Sequence, residues 1–374
     1  MNEVVNMIKS VKEYIRMPLL YNHWYVAGLT EEFGRELKER TLLERSLVFY
    51  RTEAGELTAL QNRCLHRSFP LSESKLEGDN IVCGYHGIRY NPEGEIVKVP
   101  CQATCPKKKL HKYPLKEMGP FVFIWMGDPE AADESKLPDL PFLSDPKFRT
   151  FHGAVELKGN YLFMHENLND LTHFAYLHQE SFKFDDGFFE LPTTVEKTDE
   201  GIFCNRTDAS WEGATGALPP SWKEALAGKK VVRQDGGVSV SPGVFKGYIP
   251  ITVGDEGDED HQVLMSYVMH YLTPETANTS HYWFSMSNDY SQDDDAYYEF
   301  YEAHIAKGFD EDLWAVEHMQ NLIDNDKIEF DEMIIAGDQA GMLFRRVLLD
   351  WAMEEYGEDL SGMRAAQAHG SAAT

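Results

Sequence analysis

Cys64-Leu65-His66 and, sixteen residues further on, Cys83-Gly84-Tyr85-His86-Gly87 decide how this chain is read. Each half offers one thiolate and one imidazole from a short turn. Two cysteines and two histidines can make a structural zinc site. Zinc patterns, however, pair cysteine with cysteine and histidine with histidine along the chain. Here each turn carries one of each. That arrangement suits a two-iron, two-sulfide cluster with both cysteines on one iron and both histidines on the other. Gly84 and Gly87 let the backbone approach the sulfides, and neighbouring amides can donate hydrogen bonds to them.

The surroundings of these turns read as a compact antiparallel β domain over about 20–130. Trp24-Tyr25-Val26-Ala27-Gly28 opens it. Leu47–Tyr50 and Leu57–Leu60 flank a turn at Gly55, Asn91–Gly94 is another turn, and Phe121–Trp125 is a strand ending at Gly127-Asp128-Pro129. Short β runs separated by Gly and Pro turns are the signature of such a domain. Residues 2–16 read as a short helix, so that 1–19 stands as an N-terminal segment, and the Pro-, Asp- and Ser-rich stretch 130–148 reads as a linker. Beyond it, 131–374 reads as a mixed domain. A helix is expected over about 160–180, strands at 192–208, 237–252, 262–273 and 280–287, and a helix start at Pro219-Pro220. Three helices close the chain, at about 291–307, 310–324 and 339–357. Val263–Tyr271 is apolar almost throughout, as a central strand covered on both sides would be.

A second cluster of polar residues lies in Glu166-Asn167-Leu168-Asn169-Asp170-Leu171-Thr172-His173-Phe174-Ala175-Tyr176-Leu177-His178. Two imidazoles and a carboxylate sit in a run otherwise fit for a buried helix, and such groups must be paired or must hold a metal. Residues five apart are separated by roughly 140° around an α-helix, so His173 and His178 do not share a face. Both can reach one ion only if the helix ends, kinks or widens. Asp170 lies three residues before His173, close enough for its carboxylate to fix that imidazole in one tautomer.

Taken in this order, the motifs resemble those of the Rieske non-haem iron oxygenases of the vanillate demethylase and dicamba monooxygenase type. Cys-x-His with Cys-x-x-His-Gly, the closing Trp125-Met126-Gly127-Asp128-Pro129, and Asn167-x-x-Asp170-x-x-His173-x-x-x-x-His178 carry the resemblance over nearly the full length. It implies an α+β protein: an antiparallel β Rieske domain, then a catalytic domain of curved antiparallel sheet with helices, helix-grip and START-like. It implies a 2Fe-2S cluster on Cys64, His66, Cys83 and His86 and one mononuclear Fe(II). Two histidines and one carboxylate are the usual set for such an iron. Similar proteins take the carboxylate from a late helix, and Phe309-Asp310-Glu311-Asp312 then puts Asp312 in the ligand role beside His173 and His178. Asp310 and Glu311 compete, since three acids also start a solvated helix. In the family the residue matching Asp170 bridges an iron histidine to a cluster histidine of the neighbouring subunit, here His173 and His86, which implies a homotrimer. Asn167 falls at an amide position near the iron.

The activity implied is O2-dependent O- or N-dealkylation of an aromatic compound, whose hydroxylated alkyl group collapses to release an aldehyde. Ring or side-chain hydroxylation is the alternative. A Rieske electron carrier would need no second iron site, so His173, His178 and Asp312 argue against that reading. No nucleotide-binding glycine motif appears, so electrons must come from a ferredoxin or an NAD(P)H-dependent flavin reductase. Lys107-Lys108-Lys109 with Lys112 stands out in an acidic chain and can receive an acidic ferredoxin. Phe163, Phe174 and His281-Tyr282-Trp283-Phe284 are candidates to line a pocket. Cys101, Cys105 and Cys204 read as ordinary free cysteines.

Composition sets the bounds. The chain has 374 residues, 43% hydrophobic and 12% aromatic, with 62 acidic against 35 basic side chains and a net charge of −27. That charge disfavours nucleic acid and anionic membranes as partners. No apolar run approaches the ~20 residues of a membrane span. Met1–Arg16 has mixed charge and no apolar core, so a cytoplasmic protein is expected. Five cysteines argue against a disulfide framework and for metal or free thiols.

Overall fold

The computed structural model describes residues 14–182, 187, 190–208, 210, 214–215, 218–326, 328 and 332–357. The helix expected over 2–16 therefore lies almost wholly outside the described residues, as does the Ala/Gly/Ser tail after Arg364. The chain divides into two compact units. One holds Tyr21–Leu137 with Thr273–Thr276, and the other holds the remainder.

The first unit is built from small antiparallel sheets. Its strands are β1 (Trp24–Leu29), β2 (Lys38–Leu42), β3 (Arg45–Arg51), β4 (Leu57–Gln61), β5 (Lys75–Glu77), β6 (Asn80–Val82), β7 (Arg89–Tyr90), β8 (Ile96–Lys98), β9 (Leu115–Met118) and β10 (Phe121–Trp125). They pair as β1-β10-β9, β2-β3-β4 and β5-β6-β7-β8. β10 is buried at all five residues because it is central, between β1 and β9. A core of Val48, Tyr50, Leu60, Ile81, Tyr90 and Leu110 reaches up to Cys64 and Cys83, so the cysteine turns stand on packed strands.

The second unit is one seven-stranded antiparallel sheet with helices. Its strands are β11 (Arg149–Leu157), β12 (Thr194–Lys197), β13 (Ile202–Asp208), β14 (Val231–Ser241), β15 (Val244–Val253), β16 (Gln262–Pro274) and β17 (Ser280–Asn288). The spatial order is β11-β17-β16-β15-β14-β13-β12. β11, at an edge, alternates between exposed and half-buried residues, whereas β16 is buried on both faces along its second half. This is the α+β arrangement that the sequence implied. The helices are α1 (Tyr161–Asn169), α2 (Pro220–Ala225), α3 (Asp295–Asn325) and α4 (Gln339–Tyr356). α1 packs on β14 and against both α3 and α4, and α4 lies on β12 and β13.

Four expectations are corrected. The strand read at 237–252 is two, β14 and β15, because Ser241-Pro242-Gly243 turns the chain where a proline cannot donate to a ladder. The strand read at 192–208 is likewise the hairpin β12–β13, turning at Gly201. The helices read at 291–307 and 310–324 are the single α3, which runs straight through Gly308. A Cβ on Gly308 would lie 2.5 Å from the ring of Phe182, so close packing accounts for this glycine, not helix termination. The helix read over 160–180 ends at Asn169 and resumes as a 3-10 turn, Leu171–Ala175.

Candidate metal centres and cavity

The two cysteine turns are built alike. Cys64 N–H donates to Phe69 O (2.9 Å) and Ser68 N–H to Cys64 O (3.0 Å). Cys83 N–H donates to Ile88 O (2.9 Å) and Gly87 N–H to Cys83 O (2.9 Å). The fourth residue after each cysteine is left-handed, with φ of 57° at Ser68 and 71° at Gly87. Glycine meets that requirement without strain; serine does so at a cost. Each turn therefore lifts its histidine above its cysteine. Cys64 and Cys83 are 3% and 2% exposed, whereas His66 and His86 are exposed and face each other with Nδ1 atoms 3.2 Å apart.

Burial pushes the Cys83 thiol up, and the Tyr85 and His86 amides pull it back. Tyr90 Oη accepts from Leu65 N–H (3.1 Å) and lies 3.2 Å from Cys64 Sγ, where its own proton can reach the sulfur. All five cysteines of the chain are free thiols. Two buried sulfurs, that of Cys83 with amides aimed at it and that of Cys64 beside the Tyr90 hydroxyl, and two adjoining imidazoles form a donor set fitted to a cluster with cysteine on one iron and histidine on the other.

In the second unit the break after α1 does what the sequence requires. Asp170 caps the 3-10 turn: its carboxylate accepts from Thr172 N–H (2.7 Å) and Thr172 Oγ1 (2.5 Å). His173 Nδ1–H donates to the main-chain carbonyl of Asp170. The carboxylate of Asp170 thus does not hold His173 within the chain, as the sequence suggested; the carbonyl does, because the carboxylate is taken up by the cap. His178 Nδ1–H donates to Glu311 Oε2 (2.8 Å), which also accepts from Ser181 Oγ (2.6 Å).

With both Nδ1 atoms serving as donors, each ring presents an Nε2 lone pair. Both Nε2 atoms are buried without a hydrogen-bond partner. They face Asp312 Oδ1 at 3.5 Å from His173 and 3.1 Å from His178. The ligand atoms of His173, His178 and Asp312 all lie within 4.8 Å of one another. Lone pairs converging on a buried carboxylate repel one another unless a cation joins them. Burial opposes a charge on His178, but Asp312 and Glu311 outweigh it and raise its pKa; at His173 burial wins and lowers it. Burial works against ionised Asp312, yet the two imidazoles and Asn167 hold its pKa below the usual range. Asn167 Nδ2 donates to Asp312 Oδ1 (2.9 Å), so it orients this carboxylate.

The three groups open onto a cavity walled by Phe174, Phe182, Phe245, Val268 and Phe309, with Arg233 and Asp235 also lining it. Phe174 lines it as expected. Phe163 is core, and 281–284 are not among the lining residues; Phe284 instead backs Phe309, ring centroids 4.7 Å apart.

Two family models match: "Rieske [2Fe-2S] domain" over 23–114, and "Vanillate O-demethylase oxygenase C-terminal domain" over 157–354. The iron-sulfur subunit of the toluene-4-sulfonate monooxygenase system of Comamonas testosteroni is 31% identical over 346 residues, 88% of this chain and 95% of that protein. The chain belongs to the Rieske non-haem iron oxygenases. Chloroacetanilide N-alkylformylase, oxygenase component, of Rhizorhabdus wittichii is 28% identical over 348 residues, 88% of this chain and 94% of that one. A crystal structure of dicamba monooxygenase bound to 3,6-dichlorosalicylic acid superposes with a TM-score of 0.81 at 26% identity, covering 91% of this chain and all of the other.

The oxygenase thus carries a Rieske cluster and a mononuclear iron, for which the donor sets above fit. Glu311, Tyr90 and the Arg233–Asp235 pair were not singled out in these roles from sequence. Glu311 stood only as a competitor for the ligand place, and the signal for Arg233 and Asp235 was two charges alternating on a strand whose other face is half-buried. Cys101, Cys105 and the lysines 107–109 are exposed, and Lys112 pairs with Glu93 (2.5 Å). Cys204 is buried against Phe245 and Ala340, and burial pushes its thiol up to about 12. Among the described residues no helix is long and apolar enough to cross a membrane.

Proposed function

We propose that this oxygenase dealkylates an aromatic ether or an N-alkyl aromatic compound with release of an aldehyde. The observation that carries the reading is a two-histidine, one-carboxylate face opening directly into an apolar, phenylalanine-walled cavity. In this reading His173, His178 and Asp312 hold the iron, and Cys64, His66, Cys83 and His86 hold the cluster. When bound, the cluster supplies single electrons and the iron supplies oxygen activation.

The chain's own part is positioning. Glu311 and the Asp170 carbonyl fix the two imidazoles in the tautomer that frees Nε2, and Asn167 turns Asp312 toward them. The phenylalanines hold an aromatic body against that face and keep water out. The matched family model is named for O-demethylation and a full-length relative for N-alkyl removal, which supports both bond types.

Electrons are proposed to arrive from a ferredoxin or a flavin reductase, with the exposed lysines 107–109 as the receiving patch. A homotrimer in the cytoplasm is proposed, in which Asp170 links His173 to His86 of a neighbouring copy. The test is oxygen uptake with reductase and a panel of methoxy- and N-alkyl-arenes, with aldehyde measured. Aldehyde matching the oxygen consumed supports dealkylation. A hydroxylated product without aldehyde replaces it with hydroxylation.

A further inference from the structure

Two elements run along the cavity beside the iron ligands and set its length. On α3, Tyr301, Ile305, Phe309 and Asp312 all line it, and all are buried. From Tyr301 to Asp312 is about three helical turns, so the two share a face of α3 and lie about 16 Å apart along its axis. On β15, Phe245, Gly247 and Ile249 line the floor. Alternate residues of a strand face one side of the sheet, and these three span about 13 Å.

Helix and floor are pinned together at both ends. At the iron end Phe245 pairs with His270 of β16, and the His270 ring packs on Phe309 with centroids 5.6 Å apart. At the far end Ile249 pairs with Ser266 of β16. Ser266 Oγ lies 2.9 Å from Tyr290 Oη, which accepts from Tyr297 Oη at 2.9 Å. The Tyr297 ring in turn packs on Tyr301, centroids 4.6 Å apart. Halfway along the floor stands Gly247, opposite Val268. A Cβ there would lie 2.8 Å from Val268 O, so the sheet itself demands glycine. The consequence is a floor without a side chain at its midpoint. A large residue there would divide the cavity; glycine leaves one slot from Asp312 to Tyr301.

The reacting end is fixed by His173, His178 and Asp312. A single methoxybenzene held there by its alkyl carbon leaves the stretch from Ile305 to Tyr301 open. A second ring in line with the first fills that stretch and takes more apolar surface out of water. A second ring bent off the long axis meets α3 on one side and the sheet on the other.

We propose that this cavity takes elongated substrates, two rings in line, with the alkyl group to be removed at one end. The proposal rests on the dealkylase reading for the reacting group and adds the length and shape of the rest of the molecule.

The test uses holoenzyme, without reductase so that nothing turns over, and measures binding by calorimetry. The probes are 4-methoxybenzyl alcohol, 4′-methoxybiphenyl-4-methanol and its bent isomer 2′-methoxybiphenyl-4-methanol. The two biphenyls have the same composition, so shape is what separates them. The linear biphenyl is expected to bind about tenfold tighter or more than either of the others. Ile305→Trp, which sets a large ring at the middle of the slot, is expected to erase that advantage. A bent isomer or a single ring that binds as well as the linear biphenyl, or an Ile305→Trp enzyme with an unchanged ratio, would overturn it. Should Ile305→Trp fail to fold, the wild-type comparison decides alone. Adding reductase separates the two readings. Preference for the linear biphenyl without aldehyde leaves the slot standing and sinks dealkylation; aldehyde from 4-methoxybenzyl alcohol with no such preference does the reverse.

Discussion

Glu311 and Asp312 are joined by one peptide bond and do different work. Successive helical residues point about 100° apart, so only one of the two can face the histidine Nε2 atoms. Asp312 does; Glu311 reaches the far nitrogen of His178. Replacing Glu311 by Gln keeps the size and removes the anionic acceptor. Iron affinity is then expected to fall about 10- to 100-fold while the cluster is untouched. Iron retained after dialysis against a chelator, with the visible spectrum of the cluster as internal control, measures it. His173 and His178 were legible as ligand candidates because their spacing is a motif, and Asp312 joined them only through the resemblance. The choice between Glu311 and Asp312 was not legible from the residues alone, since it depends on the rotation of α3 against α1. Asp170 teaches the same point. Its position beside His173 was correctly read, but the sequence could not show that the carbonyl, and not the carboxylate, makes the bond.

α1 must stop where it does, because two histidines five apart cannot share a helical face. What holds the stopped helix is a buried pair: Arg345 of α4 donates to Glu166 of α1 through Nε (2.8 Å) and Nη2 (2.9 Å). Burial raises the Glu166 pKa even against the pull of Arg345. A carboxyl whose folded pKa lies above its unfolded value contributes full stability below the unfolded value and loses it as pH rises through the raised one. Arg345→Met strips away the cation and strengthens that trend. The variant is expected to lose about 3–5 kcal/mol, more at pH 8 than at pH 6. Denaturant midpoints at the two pH values check it, and a loss that grows toward acid would contradict it. At this scale the strands of continuous or alternating pattern were readable, whereas the division of β14 from β15 and the continuity of α3 were not. In α3 the packing of Phe182 on Gly308 overrides a local sequence that reads as an end followed by a start.

Over the whole molecule, a net charge of −27 makes the exposed lysines 107–109 an exception for an acidic donor to find. Reversing those charges to Glu is expected to slow cluster reduction by a ferredoxin, and the deficit should shrink as salt rises, because attraction over more than about 10 Å is screened near 0.1 M salt. A stopped-flow rate that ignores both the reversal and the salt removes the patch from the account. The central claim is that the chain has two separate metal-binding sets, one with sulfide and one without. Iron and acid-labile sulfide, assayed together in wild-type and His178→Ala protein purified without oxygen, address it most directly. The account predicts that the variant loses one iron per chain and keeps all of its sulfide and its cluster absorption. Equal iron in the two proteins, or iron and sulfide lost together, would contradict it.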